Sequence, residues 1–212
     1  SNTTGYSNTT TGYYSLYSNT TGNYNTATGY YSLQANTTGE RNTAQGRSSL
    51  YANTTGDNNT AQGYLSLYSN TTGTQNTATG YSSLYSNTTG NYNTAVGYEA
   101  GRYQSDSSTN PSGSNSVYIG YNTKASGSVD AETNQIVIGS EAVGIGSNTA
   151  VLGNDSITTT ALKGNVGIGT TTPRTALTVQ GLADAGTGLV DLQIGRTTAG
   201  DFNGIDFRYG TD

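Results

Sequence analysis

The chain has 212 residues and a formal net charge of −5, with 30 glycines and 18 tyrosines but no cysteine, histidine, methionine or tryptophan. Without cysteine, a disulfide framework, a thiolate metal site and a thiol nucleophile are excluded, and without histidine the Ser-His and Cys-His catalytic arrangements are excluded. The acidic balance argues against nucleic-acid binding, which requires a stripe of Lys and Arg. Because no apolar run approaches the roughly 18 residues of a transmembrane helix, we expect no membrane insertion in this segment.

The first half of the chain is a tandem repeat, in which one unit recurs at every seventeenth position. The sequence Asn-Thr-Thr-Gly begins at Asn2, Asn19, Asn36, Asn53, Asn70 and Asn87. A second glycine follows each time, at Gly12, Gly29, Gly46, Gly63, Gly80 and Gly97. A nearly neutral chain in strict period is typical of a solenoid, not of disorder. We therefore predict an all-β fold, with a parallel β-solenoid of six repeats over residues 1–102.

Each repeat predicts a turn followed by extended segments. Asn-Thr-Thr-Gly has the residue preferences of a type I β-turn. Residues 25–29 and 30–34 are rich in Thr and aromatics and read as strands with period-two alternation. The inner face would carry Ala27, Gly29, Tyr31 and Leu33, and the outer face Thr26, Thr28, Tyr30 and Ser32. The recurring Ala and Leu are thus predicted to fill the inside of the coil.

A second asparagine in each repeat predicts a structural ladder. These residues are Asn25, Asn42, Asn59, Asn76 and Asn93. If successive coils stack about 4.8 Å apart, their side chains lie over one another. Stacked Asn amides that bond along the axis satisfy buried polar groups in such assemblies. We interpret the repeated Asn and Gly residues as scaffold.

A row of tyrosines has two possible roles. It consists of Tyr13, Tyr30, Tyr64, Tyr81 and Tyr98, and Arg47 takes the same place in one repeat. The row could line an interface between copies of the chain, or it could contact a host surface glycan. One Leu and one Ala per coil make a slight core, which favours assembly. A guanidinium also stacks on aromatic rings, so an exposed row would accept Arg47.

A row of threonines raises a third, minor alternative, an ice-binding β-solenoid. Its members are Thr26, Thr43, Thr60, Thr77 and Thr94. Regularly spaced threonines on a flat face are suited to ordering water. The neighbouring outward row is mixed, with Thr28, Gln45, Gln62, Thr79 and Val96. The mixed row interrupts the array.

The second half of the chain changes character in steps. Residues 103–114 are polar and predict a loop or joint. Residues 115–153 predict a second block with shorter coils, because Gly153 follows Gly139 at a shorter interval than the repeat of the first half. Residues 154–181 are expected to form a connector segment, and residues 182–212 the start of a small β domain that is truncated at Asp212.

No residue pattern indicates catalysis. Two carboxylates could cleave a glycoside, and the candidate pairs are Asp130 with Glu132 and Asp201 with Asp206. One pair falls in a predicted loop and the other in the terminal segment. We therefore expect a non-enzymatic protein with no catalytic residue, cofactor or metal site.

Two stretches resemble known fibres. The unit Asn-Thr-Ala-x-Gly-Tyr resembles the head repeats of trimeric autotransporter adhesins, which implies left-handed parallel β-rolls with three chains around a common axis. It recurs in more apolar form at residues 115–120, 134–139 and 148–153. Residues 164–181 look like a segment common in bacteriophage tail fibres.

The resemblances imply a homotrimeric fibre that contacts neighbouring fibre modules. We expect a structural segment of a bacteriophage tail fibre that supports host attachment, located on the virion tail. The alternative is the passenger of a trimeric autotransporter adhesin on a bacterial cell surface.

Overall fold

The structure is a computed structural model, and it describes residues 2–103, 112–126, 132–162, 166–168, 171 and 177–179. The chain divides into two compact units, Ser1–Thr158 and Thr159–Asp212. Within the described residues of the first unit, nine parallel strands form one sheet and no helix occurs. The all-β class and the parallel β-solenoid are confirmed.

Each strand has three residues, and the strands of the sheet are numbered in chain order. They are β1 (Thr9–Thr11), β2 (Thr26–Thr28), β3 (Thr43–Gln45), β4 (Thr60–Gln62), β5 (Thr77–Thr79), β6 (Thr94–Val96), β7 (Val117–Ile119), β8 (Ile136–Ile138) and β9 (Ala150–Leu152). In the second unit, β10 (Val166–Ile168) pairs in parallel with β11 (Leu177–Val179).

Successive strands stack in sequence order, which is the topology of a solenoid. From β1 to β6 the interval between paired residues is 17, as between Ala27 and Ala44. It becomes 23 from β6 to β7 and 19 from β7 to β8. From β8 to β9 it is 14, the interval that also separates Gly139 from Gly153. Only this last coil is shorter than those of the first half.

Each coil contains one strand, so the prediction of a second strand over residues 30–34 is wrong. These residues form a turn in which Tyr31 has a φ of 57° and Leu33 a φ of 49°. Positive φ values are incompatible with an extended strand. The turn also buries Ser32, which was predicted to face outward, and its hydroxyl lies 3.3 Å from the Gly29 carbonyl oxygen. The alternation of inward and outward side chains gives the wrong assignment over residues 30–34, because it applies only to an extended backbone.

The core is a pair of columns that run along the solenoid. The predicted inner position of Ala and Leu is confirmed, since the side chains of Ala27, Leu33, Ala61 and Leu67 are fully buried. Tyr31 is only half-buried. Each column places a copy of the same side chain directly above and below itself. The interior is therefore narrow but continuous.

The two columns change together where the repeat ends. Tyr118 stands in the alanine column, paired with Ala95, and is 1% exposed. Gly101 stands one full repeat after Leu84, in the leucine column. A Cβ atom on Gly101 would lie 2.7 Å from the Tyr118 ring. The missing leucine side chain thus provides the room that the larger tyrosine ring occupies.

In the described residues, no helix is long and apolar enough to span a membrane.

Candidate functional site: amide ladders, tyrosine rows and the sheet face

The asparagines of the Asn-Thr-Thr-Gly turns form a continuous ladder, here called the turn ladder. Asn36 Nδ2 donates to Asn19 Oδ1 over 2.8 Å, and Asn53 Nδ2 donates to Asn36 Oδ1 over 2.8 Å. The second N–H of Asn36 reaches the Gly39 carbonyl at 3.0 Å, which closes the turn. Its members are Asn2, Asn19, Asn36, Asn53, Asn70 and Asn87. Sequence reasoning assigned these residues to the scaffold but did not identify the ladder.

The predicted ladder at the second asparagine is present in a different bonding pattern. Asn42 Oδ1 accepts from the backbone N–H of Asn59 at 2.9 Å, and Asn42 Nδ2 donates to the Gly56 carbonyl at 2.8 Å. Side-chain-to-side-chain bonds are present as well, as between Asn59 Nδ2 and Asn42 Oδ1 at 3.1 Å. The structure brings together all of Asn25, Asn42, Asn59, Asn76 and Asn93 in this row. In this ladder, hydrogen bonds between side chains and backbone outnumber those between two side chains.

Each Asn-Thr-Thr-Gly turn is also stabilised by hydrogen bonds to the next coil. The backbone N–H groups of Thr37, Thr38 and Gly39 all donate to the Thr54 carbonyl, at 2.9, 3.2 and 3.4 Å. A Cβ atom on Gly39 would overlap Asn36 Oδ1, so glycine is required by the close approach. Sequence preferences for a β-turn identify the turn but not this contact between coils.

The predicted tyrosines form one stacked row along the side of the solenoid. Its members, here called the first tyrosine row, are Tyr13, Tyr30, Arg47, Tyr64, Tyr81, Tyr98 and Tyr121. Tyr81 and Tyr98 have ring centroids 4.8 Å apart and planes 5° apart. The Arg47 guanidinium lies 5.7 Å from the Tyr30 ring and 5.5 Å from the Tyr64 ring. The arginine thus takes the place of one ring in the stack.

Stacking determines what the first tyrosine row can offer to a ligand. Tyr81 is 41% exposed, yet its faces are turned toward Tyr64 and Tyr98. Ring edges and hydroxyl groups are what remains for the solvent side. A glycan that touched this row between its ends would be held by hydrogen bonds to hydroxyls, not by ring stacking.

A second tyrosine row was missed by sequence reasoning. Tyr51, Tyr68 and Tyr85 stack with centroids 5.0 and 5.1 Å apart and planes 5° apart. The Arg102 guanidinium continues the row, 4.6 Å from the Tyr85 ring, and also pairs with Glu99. These three rings are half-buried. The sequence feature that could have predicted this second row is the tyrosine that directly follows the leucine in these repeats.

Several phenols are held in their protonated form. A side-chain hydrogen bond with Tyr30 raises the pKa of Tyr31 to about 12. A side-chain hydrogen bond with Tyr14 raises the pKa of Tyr13. Loss of hydration raises the pKa of Tyr68 and of Tyr98. These four phenols therefore stay uncharged at neutral pH.

The outward face of the sheet is polar at one end and apolar at the other. Thr26, Thr43, Thr60, Thr77 and Thr94 form an unbroken row, and Gln62 Nε2 lies 3.3 Å from Gln45 Oε1 in the neighbouring one. From β6 onward the same two rows carry Val96, Val117, Ile119, Ile136, Ile138, Ala150 and Leu152. We call these seven residues the apolar sheet face.

Of the four carboxylates considered for glycoside cleavage, Glu132 alone lies within the described residues. Glu132 is buried, and Gln135 Nε2 donates to its carboxylate. Asp130, Asp201 and Asp206 lie outside the described residues, as does the predicted terminal domain over residues 182–212. Among the residues that the structure describes, no group of three or more His, Cys, Asp or Glu side chains could hold a metal ion.

No family model, curated protein or solved structure matches the chain. The kind of protein that this chain is must therefore be inferred from the geometry of its fold. A parallel β-solenoid built from repeats, with laddered amides and stacked aromatic rows, is compatible with a fibre or an adhesin-like structural role.

Proposed function

We propose that this chain is a structural segment of a bacteriophage tail fibre and that it supports host-cell attachment as a homotrimer. The observation that carries the proposal is uninterrupted coil stacking. Eight steps between nine strands, at about 4.8 Å each, give a rod segment about 40 Å long. The repeated polar side chains form hydrogen bonds between one coil and the next, as expected of a shaft that must resist extension.

The apolar sheet face supports assembly of several copies. Ile119 is 39% exposed, Ile136 42% and Leu152 55%. The strands β1 to β9 contain no charged residue that would oppose contact. A contiguous exposed apolar surface marks an interaction site in soluble proteins. We assign a second and third copy of this chain as its occupants, because three copies can turn the same face toward one fibre axis.

The trimer is tested by measuring mass in solution. Sedimentation should give three times the 21.9 kDa of the chain. Ile136→Asp would place a charge in the proposed interface and should yield monomers. Thr55→Asp, at an exposed turn position, is the matched control and should remain trimeric. A folded monomer at micromolar concentration for the unsubstituted chain would refute the trimer.

The location is tested with antibodies raised against residues 1–102. Labelling of virion tails in electron micrographs of phage lysates would support the tail-fibre proposal. Labelling of intact bacterial cells, with unlabelled virions, would favour the alternative, the passenger of a trimeric autotransporter adhesin. The Asn-Thr-Ala-x-Gly-Tyr unit supports that alternative, and both alternatives use the same solenoid.

The first tyrosine row supports a direct part in attachment. Its hydroxyl edges face solvent at regular intervals along the solenoid, so several weak contacts to a host surface glycan could act together. Replacing Tyr64 and Tyr81 by Phe removes two hydroxyls and keeps both rings. If adsorption to host cells falls while the trimer keeps its thermal stability, the row contacts the glycan. Unchanged adsorption would leave it a structural element.

Ice binding is the minor alternative, and the threonine row of β2 to β6 is the observation in its favour. The test is thermal hysteresis of the purified chain, with Thr60→Val as a variant that keeps the strand but removes one hydroxyl. An absence of hysteresis would eliminate this alternative.

A further inference from the structure

Tyrosine is the dominant oxidisable side chain of this protein. The sequence has 18 tyrosines and no cysteine, methionine, tryptophan or histidine. Cysteine and methionine are common targets of oxidants in proteins. Without them, a one-electron oxidant that reaches the chain reacts mainly at phenol rings. The absence of cysteine also means that no disulfide can connect the coils covalently.

The first tyrosine row places phenol rings of successive coils side by side. The ring centroids of Tyr64 and Tyr81 are 5.1 Å apart with planes 13° apart, and those of Tyr81 and Tyr98 are 4.8 Å apart with planes 5° apart. The three side chains are 37%, 41% and 44% exposed. A soluble oxidant can therefore reach them.

We propose that the first tyrosine row is an oxidative cross-linking site, at which neighbouring tyrosines of successive coils are joined as dityrosine. A one-electron oxidant, such as a peroxidase intermediate or a photogenerated Ru(III) complex, removes one electron from each of two phenols. Each phenol releases its hydroxyl proton and becomes a phenoxyl radical. The two radicals couple through their Cε carbons, forming one C–C bond.

The last step restores both rings. Each bonded carbon loses its hydrogen as a proton, and each phenoxyl oxygen regains one, so both hydroxyl groups re-form. In total the pair loses two electrons and two protons, and two equivalents of oxidant are reduced. The product is a covalent connection between one coil and the next, as between Tyr81 and Tyr98.

Stacking determines which pairs react. Coupling of two radicals that are held next to each other is effectively unimolecular and outcompetes encounters between distant residues. Arg47 separates Tyr30 from Tyr64 and cannot form a phenoxyl radical, so this pair stays unlinked. The second tyrosine row is stacked equally well but is half-buried, and its slower access to oxidant makes it an internal comparison.

The experiment is photo-oxidation of the whole chain with a ruthenium tris-bipyridyl complex and persulfate. Dityrosine fluorescence reports the yield, and mass spectrometry of proteolytic peptides locates the links. We expect links between Tyr64 and Tyr81 and between Tyr81 and Tyr98. Tyr81→Phe keeps the ring but lacks the hydroxyl, so both links should be lost. Tyr24→Phe, at an exposed tyrosine outside the row, should leave them unchanged.

A gain-of-link variant and a folding control complete the test. Arg47→Tyr should create new links from residue 47 to Tyr30 and Tyr64. Circular dichroism and thermal melting establish that each variant is folded. The proposal is overturned if the unfolded chain in denaturant gives the same links. It is also overturned if the links do not join neighbours in the first tyrosine row, or if the products are covalent dimers between chains.

Discussion

The coils of β1 to β6 and those of β7 to β9 share one sheet but are stabilised in different ways. In the first region every interval is 17, and Asn36, Asn53 and their copies form a ladder that is buried from Asn19 to Asn87. In the second region the intervals are 23, 19 and 14. Tyr118 and Val137 occupy its interior, and aliphatic side chains cover its sheet face.

The difference shows what a polar ladder requires. An amide that bonds to its own copy needs that copy at the same place in every coil. Where the interval changes, the row of Asn25 and Asn93 continues as Ser116 and then Gln135, linked by backbone N–H bonds of 3.1 Å. A buried polar row without partners is costly, whereas apolar contacts tolerate a change of register. Strict repetition therefore permits buried amide ladders beside the Ala and Leu columns, and the irregular coils rely more on apolar contacts.

The largest expected effect is a charge inside either region. Leu67→Asp would bury an unpaired carboxylate between Leu50 and Leu84, and Val137→Asp would do so in the second region. Each should cost more than about 4 kcal/mol of unfolding free energy. Chemical unfolding measures the loss. Thr55→Asp, at an exposed turn position, should stay within about 0.5 kcal/mol. Equal losses at all three sites would contradict the inside-outside assignment.

The junction between the regions can be tested by a double substitution. Tyr118→Ala would leave a cavity and cost about 3–5 kcal/mol. Gly101→Leu would place a side chain against the Tyr118 ring and should also destabilise the fold. The pair together restores the Ala and Leu of the repeat, and Leu84 already has a φ of 47° beside the 64° of Gly101.

The double variant should therefore be more stable than the sum of the two single effects predicts, by about 1–3 kcal/mol. Thermal or urea unfolding of the four proteins in the cycle measures this coupling energy. Strict additivity would show that Gly101 and Tyr118 do not share one space.

A smaller effect is expected in the turn ladder. Asn53→Ala removes the donor to Asn36 Oδ1 and the acceptor for Asn70 Nδ2. The unsatisfied groups should cost about 2–3 kcal/mol, measured by urea unfolding. Gln62→Ala is the matched control, because the Gln62 side chain is exposed and its amide donates to Gln45 Oε1 at the outward face of the sheet. A ladder variant as stable as this control would mean that the amide bonds contribute little.

The smallest effect is a pH dependence confined to the tyrosine-rich first region. The pKa of Tyr31 is raised from 10.0 to about 12 by its hydrogen bond with Tyr30. The folded chain then binds this proton more tightly than the unfolded chain, so its stabilisation is complete below pH 10 and is lost as the pH rises toward 12. Ultraviolet titration should show a late phenolate step that Tyr31→Phe removes. A Tyr31→Phe variant with an unchanged titration curve would exclude Tyr31 as its origin.

Much of the solenoid follows from the sequence, because the repeat itself encodes the stacking. The fixed spacing of Ala27 and Leu33 predicts the inner columns, and the Gly139 to Gly153 interval predicts the short coil. The turn over residues 30–34 could not be predicted, since alternation of side chains carries no information on φ. The Tyr118 ring beside Gly101 was also unpredictable, because it depends on two residues from different coils that meet only after stacking.

The two asparagine ladders present the same bonding groups in successive coils of the first region. Whole repeats can therefore be removed or duplicated without breaking the strand register or the asparagine ladders. Each such event changes the length of the rod by about 4.8 Å and leaves its cross-section unchanged. Gene rearrangements between repeats would thus produce proteins that differ in reach while the bonds between their coils are kept, so the length of the rod can evolve without loss of its internal ladders.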